Sequence, residues 1–187
     1  MTKPSDAGHV RQALRNATME DHRRVDAIYA GFALDSAPAY RAFLTAHARA
    51  VGALEPAAGP RDSRLPMLRD DLAALDAAWP QPLPLDARDS DGYRWGLRYA
   101  LEGSRLGGAM LARQVGADLP RAYLSATHGK GDWIAFQRAL DGAAAEGGEG
   151  WLGDAVQGAR AAFALFAQAG ALAQAGAAAR VEASAHG

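Results

Sequence analysis

The sequence contains no cysteine, and this absence excludes disulfide bonds, thiolate metal ligands and a cysteine nucleophile. The sequence also lacks an excess of charge of either sign: it has 21 Asp and Glu and 20 Lys and Arg, and its net charge is −1. The strong basic excess typical of nucleic-acid binding is therefore absent. The N-terminal segment MTKPSDAGHVRQ has no apolar core, so we expect no secretory signal. A cysteine-free chain suits a reducing compartment, and we expect a cytoplasmic protein.

Alternation of apolar and polar residues is rare and β-branched residues are scarce, so no β-sheet is predicted. One charge-free run, residues 161–179, has nearly the length of a membrane span. Most of its residues are Ala, Gly or Gln, and its strongly apolar members are Phe163, Leu165, Phe166 and Leu172. Such a composition inserts poorly into a bilayer. We expect a packed helix here and no membrane association.

Helical spacing of apolar residues recurs along the chain instead, with Pro- and Gly-rich segments between the helices. A length of 187 residues suits one domain, and no internal repeat is present. We predict an all-α single-domain bundle. Its parts are an N-terminal extension at 1–9, the helical domain at 10–175 and a flexible Ala-rich tail at 176–187. The predicted helices span about 6–33, 38–55, 66–79, 90–115, a short stretch from 118, 133–140 and 151–175, with Ser36, Asp89 or Ser90, and Asp132 as candidate caps.

His22, in the segment LRNATMEDHRRVD, is the first candidate functional residue. A lone helical histidine is usually a surface or core residue without a ligand role. Asp26 lies four residues further on, on the same helix face, where its carboxylate could accept the Nδ1–H of His22. That arrangement leaves Nε2 free and recurs around metal-bound histidines. Arg15 lies two turns back, about 10 Å along the axis, and could meet a negatively charged group of a ligand.

The second candidate is the glycine-rich helix WGLRYALEGSRLGGAMLARQV. A glycine inside a helix costs about 1 kcal/mol relative to alanine, yet Gly103, Gly107 and Gly108 lie in the middle of this one. Close packing of two helices is one explanation. The other is that Gly103 and Gly107 form a bare stripe against which a flat ligand lies. The pattern alone is compatible with both.

Taken together, LRNATMEDH with Asp26, EGSRLGG and QGARAAFALF resemble the haem oxygenases, especially the short soluble bacterial enzymes that produce biliverdin. YRAFLTAH and GKGDW are similar to the same family, and the resemblance runs in order over residues 10–168. It implies a haem-oxygenase-like helical bundle, with haem sandwiched between the first, proximal helix and a kinked Gly-rich distal helix. It also implies that O2 and electrons are used to cleave haem at a meso carbon, giving biliverdin, Fe2+ and CO.

The resemblance assigns roles on the proximal side. His22 stands at the position of the iron ligand, with Asp26 beside it. Arg15 and Tyr99 match groups that hold the haem propionates. Relatives often have lysine at the first of these positions, and arginine keeps the charge but changes the hydrogen-bonding geometry.

On the distal side, the resemblance implies that Gly103 and Gly107 touch the haem face, with Gly108 next to them. Ser104 stands where animal enzymes have an aspartate that organises distal water. We therefore expect Gly103, Ser104 and Gly107 to form the catalytic side, with a different arrangement of water.

The last helix contributes two further candidates. Arg160 either meets a propionate or forms a structural salt bridge, and Phe163 either contacts the haem or packs in the core. No dinucleotide-binding fingerprint occurs, so electrons must come from an external donor, either a ferredoxin or a flavin reductase. Arg11, Arg23 and Arg24 could form its docking patch, or simply a solvated helix face. The alternative function is a non-catalytic haem carrier or sensor; a thiaminase-like protein and a ligand-free interaction module are further alternatives.

Overall fold

The computed structural model describes residues 8–185, with side chains to residue 179, and it confirms the all-helical prediction over that range. Most of the predicted N-terminal extension lies outside the described residues. Within them there are seven helices and no strand. The helices are α1 (His9–Tyr29), α2 (Ala37–Ala58), α3 (Leu65–Ala74), α4 (Asp91–Leu111), α5 (Ala122–Ser125), α6 (Asp132–Glu146) and α7 (Trp151–Ala185).

The last helix, α7, is the centre of the bundle, and α1, α2 and α4 all pack on it. Small residues allow this close approach: Ala155, Ala159 and Ala162 are fully buried, and a Cβ at Gly158 would collide with the carbonyl of Tyr93 on α4. The stretch Trp151–Ala179 is long and apolar enough to cross a membrane by length and composition alone. Its contacts with three other helices confirm the expectation of a packed helix.

Two apolar clusters hold the helices together. The larger lies between α2, α4 and α7 and includes Phe43, Leu44, Leu54 and Leu97. The smaller lies at one end of the bundle, where Leu14 of α1 meets residues of α6 and α7, and Trp95 and Tyr99 of α4 pack against it. The first halves of α1 and α4 are thereby fixed near each other, and the end of α1, at Tyr29, belongs to the larger cluster. The buried members of the smaller cluster are Leu14, Leu140, Trp151, Ala155 and Ala159.

The helix ends differ from prediction where capping chemistry was ambiguous. Ser90, and not Asp89, caps α4, since its Oγ accepts a hydrogen bond from the backbone N–H of Tyr93 at 3.3 Å. Asp132 is the first residue of α6 rather than its cap, and its Oδ2 accepts from Gly129 N at 2.8 Å. At the C-terminus, α7 continues through the segment predicted as a tail, as far as Ala185.

Candidate functional site

The first part of the site is the imidazole of His22 on α1. Its Nδ1 lies 3.1 Å from Oδ2 of Asp26, as the i,i+4 spacing predicts. A hydrogen bond donated by Nδ1 leaves the Nε2 lone pair free for a metal. The His22 side chain is 59% exposed, and Phe163 of α7 packs against it edge-on with ring centroids 5.6 Å apart. The imidazole is therefore oriented on two sides and accessible to a ligand.

The second part of the site is the glycine-bearing face of α4, whose neighbours differ between the first and second pairs of glycines. A Cβ at Gly92 or Gly96 would collide with backbone atoms of α7, namely the carbonyls of Trp151 and Ala155. These two glycines are therefore required for close packing of α4 on α7. A Cβ at Gly103 or Gly107 would meet nothing within 4 Å.

Helix packing consequently explains the first pair of glycines but not the second. The segment of α4 that carries Gly103 and Gly107 presents bare backbone to open space. Next to it lie two exposed apolar side chains, Leu106 (44% exposed) and Met110 (70% exposed). An apolar surface with exposed backbone in its middle suits a flat, largely apolar ligand.

Two side chains mark the end of this face where α1 and α4 approach each other. Burial raises the pKa of Tyr99 on α4, and the positive charge of Arg15 and the hydroxyl of Thr18, both on α1, partly offset this increase. Arg15 itself is exposed. The structure thus brings together a cation and a phenol from the two helices, as expected for groups that hold carboxylates.

α1 and α4 both pack on α7 and make few direct contacts with each other, and we call the space between them the groove. Its donors fit haem: an imidazole with a free nitrogen for the iron, bare backbone for the ring face and a cation for a propionate. The exposure of His22 and Gly107 makes this groove open to solvent. Two other surface hollows, of about 600 and 400 Å³, are not lined by either residue.

Two predicted distal residues point away from the groove. Ser104 Oγ donates to the carbonyl of Leu101 at 2.8 Å and accepts from Arg64 Nη2 at 2.7 Å, behind α4. Gly108 also lies at the back, where a Cβ would stand 3.0 Å from the carbonyl of Leu124 in α5. Their expected roles at the haem stay predictions, because no ligand is present to test them. Ser104 lies about 100° around the helix from Gly103, and Gly108 about 100° from Gly107, and spacing alone did not show which side the core would cover.

Arg160 is bonded within the protein, and its contact with a propionate stays a prediction. Its Nε and Nη2 donate to the carbonyl of Ala17 at 3.2 and 3.0 Å, and Nε lies 3.7 Å from Oδ2 of Asp21. Asp21 lies about 100° around α1 from His22, so Arg160 forms the structural ion pair that was the alternative. Phe163 packs in the core at 8% exposure, and its ring also contacts the His22 ring; its contact with haem stays a prediction.

The predicted docking patch is smaller than expected. Arg11 is half-buried and donates to Gln137 Oε1 at 3.0 Å, with Asp141 Oδ2 at 3.3 Å, so it is not available to a partner. Arg23 and Arg24 are exposed on α1. Arg23 makes only an exposed ion pair with Glu20 at 3.5 Å, which is a weak interaction.

Sequence reasoning missed the polar groups behind α4. Arg64 is buried at 3% exposure and reaches α4 from the segment before α3. Glu102 accepts a 2.6 Å hydrogen bond from His128 Nε2, and Arg105 donates to the carbonyl of Asp62 at 2.7 Å. These partners lie 26 to 43 residues apart in sequence, so no local spacing could have revealed them.

The described residues define an all-helical protein in which an imidazole paired with a carboxylate on α1 and an open glycine pair on α4 are both accessible. The chain is similar to a protein of Xanthomonas campestris pv. campestris (strain 8004) named heme oxygenase, with 36% identity over 117 residues. The match covers 55% of this chain and 64% of that relative, so the chain spans just under two thirds of the relative's length. No protein-family model matches the chain. The similarity and the all-helical architecture together support the haem oxygenase family.

Proposed function

We propose that this chain is a haem oxygenase of the bacterial, biliverdin-producing type, and that haem binds in the groove between α1 and α4. The observation that carries the proposal is the open backbone of Gly103 and Gly107, which helix packing does not explain. The proposal places this backbone across the groove from the His22–Asp26 pair of α1. A glycine pair without a packing partner is expensive for a helix, so a ligand is the better explanation.

Each side chain of the groove has a role in holding the ring. His22 Nε2 would coordinate the iron, and Asp26 would fix the tautomer by accepting from Nδ1. Arg15 and Tyr99 would bind the propionates through charge-assisted hydrogen bonds. The packed ring of Phe163 would limit rotation of the imidazole.

The distal wall would act mainly through its backbone. Gly103 and Gly107 let α4 approach the ring closely, and their peptide groups can order the water that delivers protons. Leu106 and Met110 would keep the rest of this face apolar. Ser104 has no direct role in this proposal; it supports the helix from behind.

When bound, the haem supplies the redox chemistry: with O2 and electrons it is opened at a meso carbon, giving biliverdin, Fe2+ and CO. The electrons would come from a ferredoxin or a flavin reductase. Arg23 and Arg24, exposed on the helix that carries His22, offer such a donor a small basic surface. A cytoplasmic location, which the cysteine-free composition favours, agrees with this supply.

The test compares wild type with His22→Ala and with His9→Ala, a control that removes an exposed histidine from the start of the same helix. Haemin is titrated into each protein, and turnover is started with ascorbate or reduced ferredoxin. Wild type and His9→Ala should bind one haem with an imidazole-ligated spectrum and form bilin, whereas His22→Ala should lose both properties. Full ligation and turnover in His22→Ala would refute the ligand assignment, and haem binding without bilin in wild type would indicate a carrier or sensor.

A further inference from the structure

Arg64 is a buried cation that the proposed reaction does not yet use. It lies in the segment between α2 and α3 and is only 3% exposed. Its Nη2 donates to Ser104 Oγ at 2.7 Å and to the carbonyl of Leu101 at 3.3 Å. Both acceptors belong to α4, on the turn that includes Gly103. The Arg64 guanidinium thus connects the segment between α2 and α3 to the back of α4.

The partners of this charge are neutral. Among the described residues, the hydrogen bonds of the Arg64 guanidinium go to a carbonyl and a hydroxyl, and its central carbon lies 4.9 Å from the centre of the Tyr123 ring. Its backbone N–H donates to Glu55 Oε1 at 2.9 Å, which fixes the main chain of the segment. A buried charge carries a desolvation penalty that an apolar side chain would avoid. Its hydrogen bonds to α4 are charge-assisted, and each is therefore stronger than a hydrogen bond between neutral groups.

The carbonyl of Leu101 receives more than its helical hydrogen bond. Ser104 bonds back to it at 2.8 Å, and Arg64 adds a further donor. Both of these donors act on the turn of α4 that includes Gly103, on whose own side an added methyl group would meet nothing within 4 Å.

We propose that Arg64 is a positioning residue, which sets how far the Gly103–Gly107 segment stands from α1 through its bonds to Ser104 and Leu101. This inference rests on the proposed function, because the distance between the two walls matters for a ring bound between them. Arg64 itself does not touch the ring. It acts through the backbone of α4, and its loss should loosen this segment while His22 and the proximal wall stay unchanged.

Arg98 provides a matched control on the same helix. Its Nε donates to the carbonyl of Ala58 at 2.6 Å, so it also ties α4 to the end of α2, but one turn before the glycine segment. The variants are Arg64→Met, which removes both bonds, Arg64→Lys, which keeps the charge, and Arg98→Met. Ser104→Ala removes one acceptor and leaves Arg64 in place, in case Arg64→Met does not fold.

The first readout is hydrogen exchange at the amides of residues 103–108 in the haem-free protein, which does not depend on any activity. Loss of a charge-assisted bond predicts about tenfold faster exchange there in Arg64→Met. Ser104→Ala and Arg64→Lys should show a smaller increase, and Arg98→Met none. Unchanged exchange at 103–108 in folded Arg64→Met, or in Ser104→Ala if the first variant does not fold, would overturn the proposal.

The second readout is the haem complex. Arg64→Met should keep the imidazole-ligated spectrum but release haem about tenfold faster than Arg98→Met, because only the distal wall is loosened. Equal release rates in the two variants would contradict the role of Arg64. A wild type that binds no haem would instead refute the proposed function, and the exchange result in the haem-free protein would still decide whether Arg64 positions α4.

Discussion

Replacing glycine by alanine at two positions on one face of α4 should have opposite effects on stability. At Gly107 a methyl group meets nothing within 4 Å. The substitution then gains helix propensity, up to about 1 kcal/mol. For a domain of this size the melting temperature of the haem-free protein should rise by about 2–4 °C. At Gly96 the same methyl collides with the Ala155 carbonyl and lies 2.6 Å from Ala159 N. Both are backbone atoms of a packed helix, so Gly96→Ala should destabilise by about 1–3 kcal/mol or more.

Gly107→Ala should weaken haem binding, although it stabilises the haem-free protein. The methyl of Gly107→Ala stands where the proposed ring lies against backbone, and we expect a loss of affinity on the order of tenfold, the effect of about 1.4 kcal/mol. Thermal unfolding without haem, followed by haemin titration, measures both quantities on the same sample. If Gly107→Ala is more stable without haem but binds haem more weakly, the absence of a side chain at Gly107 serves ligand binding and not packing.

Two outcomes would refute this reasoning. If Gly107→Ala lowers the melting temperature of the haem-free protein, the glycine has a packing role that the structure does not show. If it raises the melting temperature and leaves haem affinity unchanged, the ring does not lie against this segment. Gly103→Ala, also without a neighbour within 4 Å, repeats the test one turn earlier on the helix.

Two further predictions concern residues outside the groove. Burial, with a smaller contribution from the charge of Arg64, lowers the pKa of His47 from 6.5 to about 3. Below pH 6.5 the unfolded chain therefore binds a proton that the folded chain does not bind. The free energy of unfolding is highest above that pH and falls as the pH approaches 3. Between pH 6.5 and 4.5 the loss should be about 2–3 kcal/mol in urea unfolding, and an equal pH dependence in His47→Gln would contradict the assignment. Arg160→Gln should lower stability by about 0.5–1 kcal/mol and leave haem affinity unchanged, because its guanidinium is bonded to Ala17 and Asp21; a clear loss of affinity would restore the propionate role.

Local spacing predicted the parts of this protein that depend on neighbours within one helix. The His22–Asp26 contact is an i,i+4 pair, and its geometry follows from the helix itself. The helical content and the order of the helices follow from apolar periodicity in the same way. Helix ends were less predictable, because tertiary packing decides them: Phe32 is buried although α1 ends at Tyr29. Trp79, predicted to end α3, lies beyond Ala74.

The direction of each distal side chain could not be predicted, because it depends on which neighbour covers α4. The segment EGSRLGG ends with two adjacent glycines, Gly107 and Gly108, yet the first faces open space and the second faces the Leu124 carbonyl. Ser104 is turned to the back by Arg64, 40 residues earlier in the chain. A bond across that separation leaves no trace in helical periodicity.

A single physical change along α4 links the fold to the proposed site. Gly92 and Gly96 lie against α7, and Gly103 and Gly107 continue approximately the same face beyond the point where that contact ends. The same absence of side chains first permits close packing and then leaves backbone accessible. The smaller apolar cluster brings Leu14 of α1 together with Trp95 and Tyr99 of α4, and beyond it the packing glycines of α4 give way to the unpartnered ones. A substitution that moved this point along α4 should therefore change haem binding before it changes the fold.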